Sequence, residues 1–291
     1  MNKKIFLVFI SVILLCGCTK AVATTATDTT KEVNPTYISK EVEEIKDEES
    51  PIVSEIPLEE PKEDVIEEKN EQNKDETGEL SSSDEKNRFT VPDFKGEPFE
   101  YVNSNQPFFI EDEIVDESYE YYSPLDDLGR AGYAMCCCGT DLFPQRDRSD
   151  ISMVYPTGWE QNNYDFIDNE GWLYNRCHLI AYSLTGIDGE NEEDIPLLER
   201  NLITGTRYFN FYGMWPIEST VYYYLKDNPE NHVMYRVTPI INEDDLLCQG
   251  VLMEGYSGED EGKGCKFCVF VFNVQPGVVI DYKTGENYIE D

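Results

Sequence analysis

Tyr174-Asn175-Arg176-Cys177-His178-Leu179-Ile180 is the stretch on which the reading of this chain turns. His178 is one of two histidines among 291 residues, and it stands close beside the cationic Arg176. An imidazole, with an ordinary pKa of about 6.5, takes and gives protons near neutral pH. Any chemistry that needs an imidazole at that pH therefore starts here. The other histidine, His232, sits in the turn-like Asp227-Asn228-Pro229-Glu230-Asn231-His232 and is assigned no role.

Far upstream, residues Asn2 to Lys4 give a short positive start and Ile5 to Leu15 an apolar run. That run is well below the roughly 20 residues a membrane-spanning helix needs, so residues 1–18 are expected to be a signal peptide. Its end, Leu15-Cys16-Gly17-Cys18, resembles a bacterial lipobox. The resemblance implies that Cys18 is lipidated and anchors an exported protein to the outer face of the bacterial cell membrane. Residues 19–88 are rich in Thr, Glu, Lys, Pro and Ser, with almost no aromatic residue and no sustained apolar periodicity. Such a segment cannot bury enough surface to offset its ordering entropy, and it is expected to be a disordered acidic tether. The charge blocks Glu41 to Glu49 and Glu59 to Glu71 fit a self-repelling, extended spacer.

Composition changes near Phe89, beyond which nearly all the Tyr, Phe, Trp and Gly lie. Residues 89–291, about 200 in all, suffice for one well-cored domain. Phe99 to Ile110 suggest a hairpin with its turn at Asn103 to Gln106, and Gly129 to Met135 and Ile151 to Tyr155 are short apolar segments. Glu192 to Arg200 and Glu218 to Lys226 suit helices. Val233 to Ile241, Leu247 to Glu254 and Phe267 to Val274 are rich in β-branched and aromatic residues and predict strands. Strands with helices inserted between them predict an α+β fold.

Apart from Cys16 and Cys18, the cysteines are Cys136, Cys137, Cys138, Cys177, Cys248, Cys265 and Cys268, an odd set, so at least one stays unpaired or joins another chain. Their pairing is not legible. Disulfides are the common fate outside the cell, and a zinc site from Cys265-x-x-Cys268 with the triplet is the alternative. Neighbouring cysteines in a strand face opposite ways, so the triplet cannot act as one cluster.

Downstream of His178 come Glu199-Arg200-Asn201-Leu202-Ile203-Thr204-Gly205-Thr206-Arg207-Tyr208-Phe209-Asn210 and Gly213-Met214-Trp215-Pro216-Ile217-Glu218. With Asn175-Arg176-Cys177-His178, this pattern resembles the DNA/RNA non-specific endonucleases, most closely the DNA-entry nucleases of Gram-positive bacteria, over about Phe94 to Tyr282. The family shows Asp-Arg-Gly-His, then an asparagine pair, then a glutamate after a tryptophan. This chain departs from it at Asn175, which replaces the aspartate, and at Cys177, which replaces the glycine.

The resemblance implies a central antiparallel sheet flanked by helices and carrying a ββα-metal, or His-Me finger, site. Carried over by residue, His178 is the general base and Asn210 the direct ligand of one Mg²⁺, for which Mn or Ca could substitute. Asn201 and Glu218 hold the water shell of the metal, and Arg176 with Arg148 grips the phosphate. Arg146 is a near-equal candidate for Arg148. The implied activity is hydrolysis of DNA, and of RNA, with little sequence preference, leaving 5′-phosphate ends.

These residue types suit that chemistry. A water attacking phosphorus must lose a proton, and a histidine can accept it. Mg²⁺ prefers oxygen ligands and keeps several waters, so one amide carbonyl plus phosphate oxygens makes a workable first shell. Arginine matches phosphate oxygens bidentately. The same residues also have plainer uses: asparagines cap helices and form turns, and Glu218 after Pro216 suits a first helical turn. Cys177 puts a thiol beside the base, although strand neighbours face apart.

A net charge of −36 repels a polyanion overall. Yet Arg130, Arg146, Arg148, Arg176, Arg200 and Arg207 all fall in the stretch bearing the site, so a local positive pole helped by a cation is expected. The alternative reading is a surface-anchored module that binds nucleic acid or protein on the same scaffold without turnover. Metal-independent binding would favour it.

Overall fold

The computed structural model describes residues 90–168, 170–187 and 194–290. The expected signal peptide, the lipidated Cys18 and the 19–88 tether lie outside the described residues. All described residues belong to one compact unit, Val53–Asp291. Among them no helix is long and apolar enough to cross a membrane.

Strands β1 (Phe99–Tyr101), β2 (Tyr119–Tyr122), β3 (Ala134–Cys138), β4 (Tyr174–His178), β5 (Leu202–Thr206), β6 (Val233–Ile240), β7 (Gly250–Ser257) and β8 (Lys266–Phe272) carry the domain. Six of them form an antiparallel sheet in the order β1-β8-β7-β6-β3-β2, while β4 and β5 pair separately as a two-stranded ribbon. Near the C-terminus β9 (Val278–Ile280) and β10 (Asn287–Ile289) make a small hairpin. The helices are α1 (Tyr182–Thr185), α2 (Ile195–Arg200) and α3 (Trp215–Asp227).

Period-two alternation gives the sheet two different faces. Val233, Tyr235, Val237, Val251, Met253, Val269 and Val271 point to the main core, where they meet Ile217, Val221 and Leu225 of α3 and Cys177 and Ile203 of the ribbon. The opposite face carries Ile240, Leu252, Phe270 and Phe272, covered by Val91, Val102 and Phe108 from the N-terminal segment. The helices thus flank one face and irregular chain seals the other.

That second face also holds a buried ion pair. Arg236 and Glu254 are direct cross-strand partners and only 2 % and 1 % exposed. The guanidinium donates Nε to Glu254 Oε2 at 2.8 Å and Nη2 to Oε1 at 3.2 Å. Glu113 accepts from Nη1 at 3.3 Å, and the Phe108 amide donates to Glu254 Oε1 at 2.6 Å. The pair therefore fastens the 108–113 segment across the sheet.

Residues 99–110 do not form the expected hairpin. β1 pairs instead with β8 (Phe99↔Val271), and Asn103, Ser104 and Asn105 all take left-handed φ values of 50 to 58°. That turn leads into a segment covering the sheet, with Asn105 Oδ1 accepting from the Cys268 amide at 2.9 Å. The apolar 151–155 segment lies outside the strands.

Cys136 and Cys138, on one side of β3, are joined by a disulfide, and Cys137, Cys177, Cys248, Cys265 and Cys268 are buried thiols. Cys265 lies in the main core and Cys268 on the opposite face, so the two cannot share a zinc ion. Among the described residues no group of three or more His, Cys, Asp or Glu side chains is placed to hold a metal.

Candidate active site

The ribbon and the helix that follows it make the site. β4 and β5 pair from Tyr174↔Thr206 to His178↔Leu202. Alternation along β4 puts Arg176 and His178 on one side and Asn175 and Cys177 on the other. Cys177 is fully buried against Gly205 and Phe209: a Cβ on Gly205 would collide with the Cys177 Sγ and the Phe209 ring. The thiol that replaces the family glycine is thus accommodated by a glycine on the neighbouring strand. Burial pushes the ionisation of Cys177 well above the ordinary thiol range, with Cys248 and Glu218 adding to it. A buried neutral thiol facing away from His178 is no nucleophile.

Asn201 is built into the end of the ribbon. It is 0 % exposed, and its carboxamide accepts from the Ile180 amide at 2.8 Å and donates to the Ile180 carbonyl at 2.9 Å. The Leu179 amide donates to the Asn201 carbonyl at 2.8 Å. Asn201 thus extends the β4–β5 ladder by one step with its side chain, fixing the strand end that carries His178. One bond accepted and one donated commit this carboxamide to the Ile180 backbone.

After β5 the Thr206 hydroxyl accepts from the Phe209 amide at 3.0 Å in the manner of a helix cap. A π-helical turn follows at Phe209–Met214 and runs straight into α3. The sequence accounts for it. Pro216 has no amide hydrogen and crowds the carbonyl four residues back, so a regular ladder cannot pass through it. Gly213 lets this turn press against Val271, where any Cβ would collide. π-turns wind fewer degrees per residue than α-helix and recur at functional sites. In an unbroken α-helix residues eight apart are about 80° out of line. The π-turn takes up much of that offset and brings Asn210 and Glu218 toward one side.

Asn210 is half-buried, and its carboxamide makes no hydrogen bond to any described residue. Burial pushes the Glu218 carboxyl up to about 8, opposed by the Arg148 charge. Tyr235, fully buried in the sheet, is pushed well above the tyrosine range by burial and then by Glu218. Its hydroxyl is buried without a hydrogen bond. The Glu218 carboxyl thus lies within electrostatic range of both Arg148 and Tyr235.

The two candidate arginines separate. Arg146 donates Nη1 to Ser149 Oγ at 3.1 Å, whereas the Arg148 charge acts on both Glu218 and Cys177. Arg176 is anchored as well as placed. It donates Nε to the Val154 carbonyl at 2.5 Å and Nη2 to the Ser152 carbonyl at 2.8 Å, and packs on the rings of Tyr155 and Trp159. The expected arginine pole is smaller than the sequence suggests. Arg130 is tied to Asp126 and to the Glu243 and Asp245 carbonyls, and Arg207 to Asp168. The reading of the sequence missed Tyr155, Trp159 and Tyr235; the clustering of aromatics in Tyr155-Pro156-Thr157-Gly158-Trp159 was the available signal for the first two.

The ribbon and the π-turn and helix that follow it, next to the antiparallel sheet, carry His178, Asn210 and Glu218. The family model for DNA/RNA non-specific endonucleases matches residues 110–259, and the chain belongs to that family. It is an endonuclease enzyme with an α+β fold. Among solved structures it is similar to NucA from Streptococcus agalactiae with magnesium ion bound. That match has 27 % identity and a TM-score of 0.56 over 67 % of this chain and 91 % of the other. The same protein with no metal bound gives 26 % and 0.55, with the same coverage. Sda1 nuclease with bound zinc ion matches at 25 % identity and a TM-score of 0.52, covering 67 % of this chain and 97 % of that one. Among curated proteins none matches.

Proposed function

We propose that this chain is a divalent-metal-dependent endonuclease that cleaves DNA and RNA with little sequence preference and leaves 5′-phosphate ends. The observation that supports this most is the Asn210 carboxamide, half-buried and without a hydrogen bond to any described residue, on a π-turn that runs into the helix bearing Glu218. One neutral oxygen donor with few carboxylates around it suits Mg²⁺, which keeps its waters, better than zinc. The bound magnesium of one similar nuclease and the bound zinc of another agree on a divalent ion and differ on which.

In this reading the substrate phosphate is held by Arg148 and by Arg176 N–H groups not given to Ser152 and Val154. His178 takes the proton from a water as it attacks phosphorus; the bond to the 3′ oxygen breaks and the phosphate stays on the 5′ side. When bound, the cation neutralises phosphate charge and stabilises the departing oxygen. Asn201 holds His178 in place through Ile180, and Glu218 accepts hydrogen bonds from the water shell. Contacts to phosphate and sugar carry no base information, which accounts for low specificity. The N-terminal sequence supports export and anchoring through Cys18 by lipid, with residues 19–88 as spacer and 89–291 as the enzyme.

Plasmid and RNA digestion with Mg²⁺ or with EDTA tests the metal. Cleavage is expected only with Mg²⁺, and Asn210→Ala should raise the Mg²⁺ concentration for half-maximal rate by about 10–100-fold. An unchanged metal requirement in Asn210→Ala removes Asn210 as ligand. No cleavage by the folded protein would leave the binding module as the better reading.

Glu218 gives a pH test. Between its ordinary value of 4.5 and about 8, the folded chain keeps a proton that the unfolded chain has lost. This carboxyl therefore favours the fold at low pH, and its contribution falls as pH rises through that window. A cation nearby favours the ionised form, so the rise in Tm on adding Mg²⁺ is expected to grow with pH up to about 8 and to be flatter in Glu218→Gln. An identical pH dependence in both proteins would separate Glu218 from the metal.

A further inference from the structure

We propose that Tyr155 is a stacking platform for an unpaired nucleobase beside the cleaved phosphate, so that the enzyme favours single-stranded or locally melted nucleic acid. The proposal rests on the nuclease reading above. Tyr155 is 69 % exposed, yet its backbone is fastened on both sides. The Arg176 hydrogen bonds pin Ser152 and Val154, Pro156 follows with its fixed φ, and the Thr157 hydroxyl donates to the Leu246 carbonyl at 2.7 Å.

The ring itself is also held. The Arg176 guanidinium carbon lies 4.9 Å from the centre of the Tyr155 ring and 4.4 Å from that of Trp159, and the two rings meet edge to face at 6.3 Å. A guanidinium packed against both rings holds them by cation–π attraction. Beside the Tyr155 ring lies a cavity of about 170 Å³, walled also by Met153, Thr204, Leu246 and Glu199.

Position gives this surface its use. Arg176 and His178 share one side of β4, about 7 Å apart along the strand. A base resting on Tyr155 would have its phosphate within reach of the N–H groups that Arg176 does not spend on Ser152 and Val154. Stacking on a protein ring needs a base that has left its neighbours, and single strands offer that at little cost whereas duplexes resist it. Every base has a π-face, so such a platform selects strandedness without selecting sequence.

The test uses the full chain, a fluorescein-labelled single-stranded oligodeoxynucleotide of mixed sequence, and its duplex. Binding is read by anisotropy in EDTA, and kcat/KM on both substrates in Mg²⁺. Wild type is expected to prefer the single strand. Tyr155→Ala should weaken single-strand binding by about tenfold and shrink the single-strand to duplex ratio of kcat/KM by a similar factor. Tyr155→Phe and Tyr155→Trp, which keep a ring, should retain both. The proposal is overturned if Tyr155→Ala leaves the ratio unmoved, weakens both substrates equally, or behaves no worse than Tyr155→Phe. Intact cleavage with an unmoved ratio sinks the platform alone; ring-dependent single-strand binding by a wild type that never cleaves sinks the nuclease reading alone.

Discussion

His178→Ala is expected to lower the rate of DNA cleavage by about 10²- to 10⁴-fold, the usual worth of a positioned general base. The loss should be chemical and not structural. His178 ends β4, where the backbone is paired with Leu202, and the next two residues are bonded to Asn201 through atoms that the substitution leaves alone. Thermal unfolding followed by circular dichroism should therefore show a Tm within a few degrees of wild type. Added imidazole should restore part of the rate, because the cavity left by the side chain sits where the base acted. A variant that cleaves within a few-fold of wild type would remove His178 from the mechanism and leave the reaction without a residue to accept its proton.

Glu254→Ala is expected to cost about 3–5 kcal/mol of stability, the usual penalty for leaving one member of a buried ion pair uncompensated. Arg236 would lose both of its bonds to the Glu254 carboxylate while keeping the Glu113 contact at 3.3 Å and the Phe109 ring, and the Phe108 amide would lose its acceptor. Pairing Arg236→Met with Glu254→Leu should recover most of that loss, since Ile240, Leu252 and Phe270 provide an apolar surround on the same face. Urea denaturation of the three proteins measures both effects. A loss below about 1 kcal/mol in Glu254→Ala would mean that the guanidinium finds water and that the 108–113 cover opens freely.

Strands β6, β7 and β8 were legible because each is a long run of β-branched and aromatic residues, and α3 because its apolar positions recur at helical spacing. β4 and β5 were not legible from composition; Tyr174 to His178 is short and polar, and only the resemblance marked it. The expected hairpin at 99–110 failed because local alternation cannot reveal that the partner of Phe99 is Val271, far along the chain. Arg236 and Glu254 were invisible for a related reason, since a charge inside an apolar strand reads as an exception until its cross-strand neighbour is known. At the site, the resemblance singled out His178, Arg176, Asn210 and Glu218 as the residues to test. What it could not decide was use: the same asparagine side chain can meet a metal or a backbone, and Asn201 meets Ile180.

The Asn201 carboxamide also separates catalysis from chain length. It closes the ribbon directly behind His178, so the chain leaves at Ile180 and returns at Asn201 through a joint that is already locked. Lengthening a loop closed in this way costs only about 0.6 kcal/mol for each doubling. Relatives can therefore differ freely in this connection, and an engineer could graft a targeting peptide or a second binding module there, while the base stays in register with the strand that holds it.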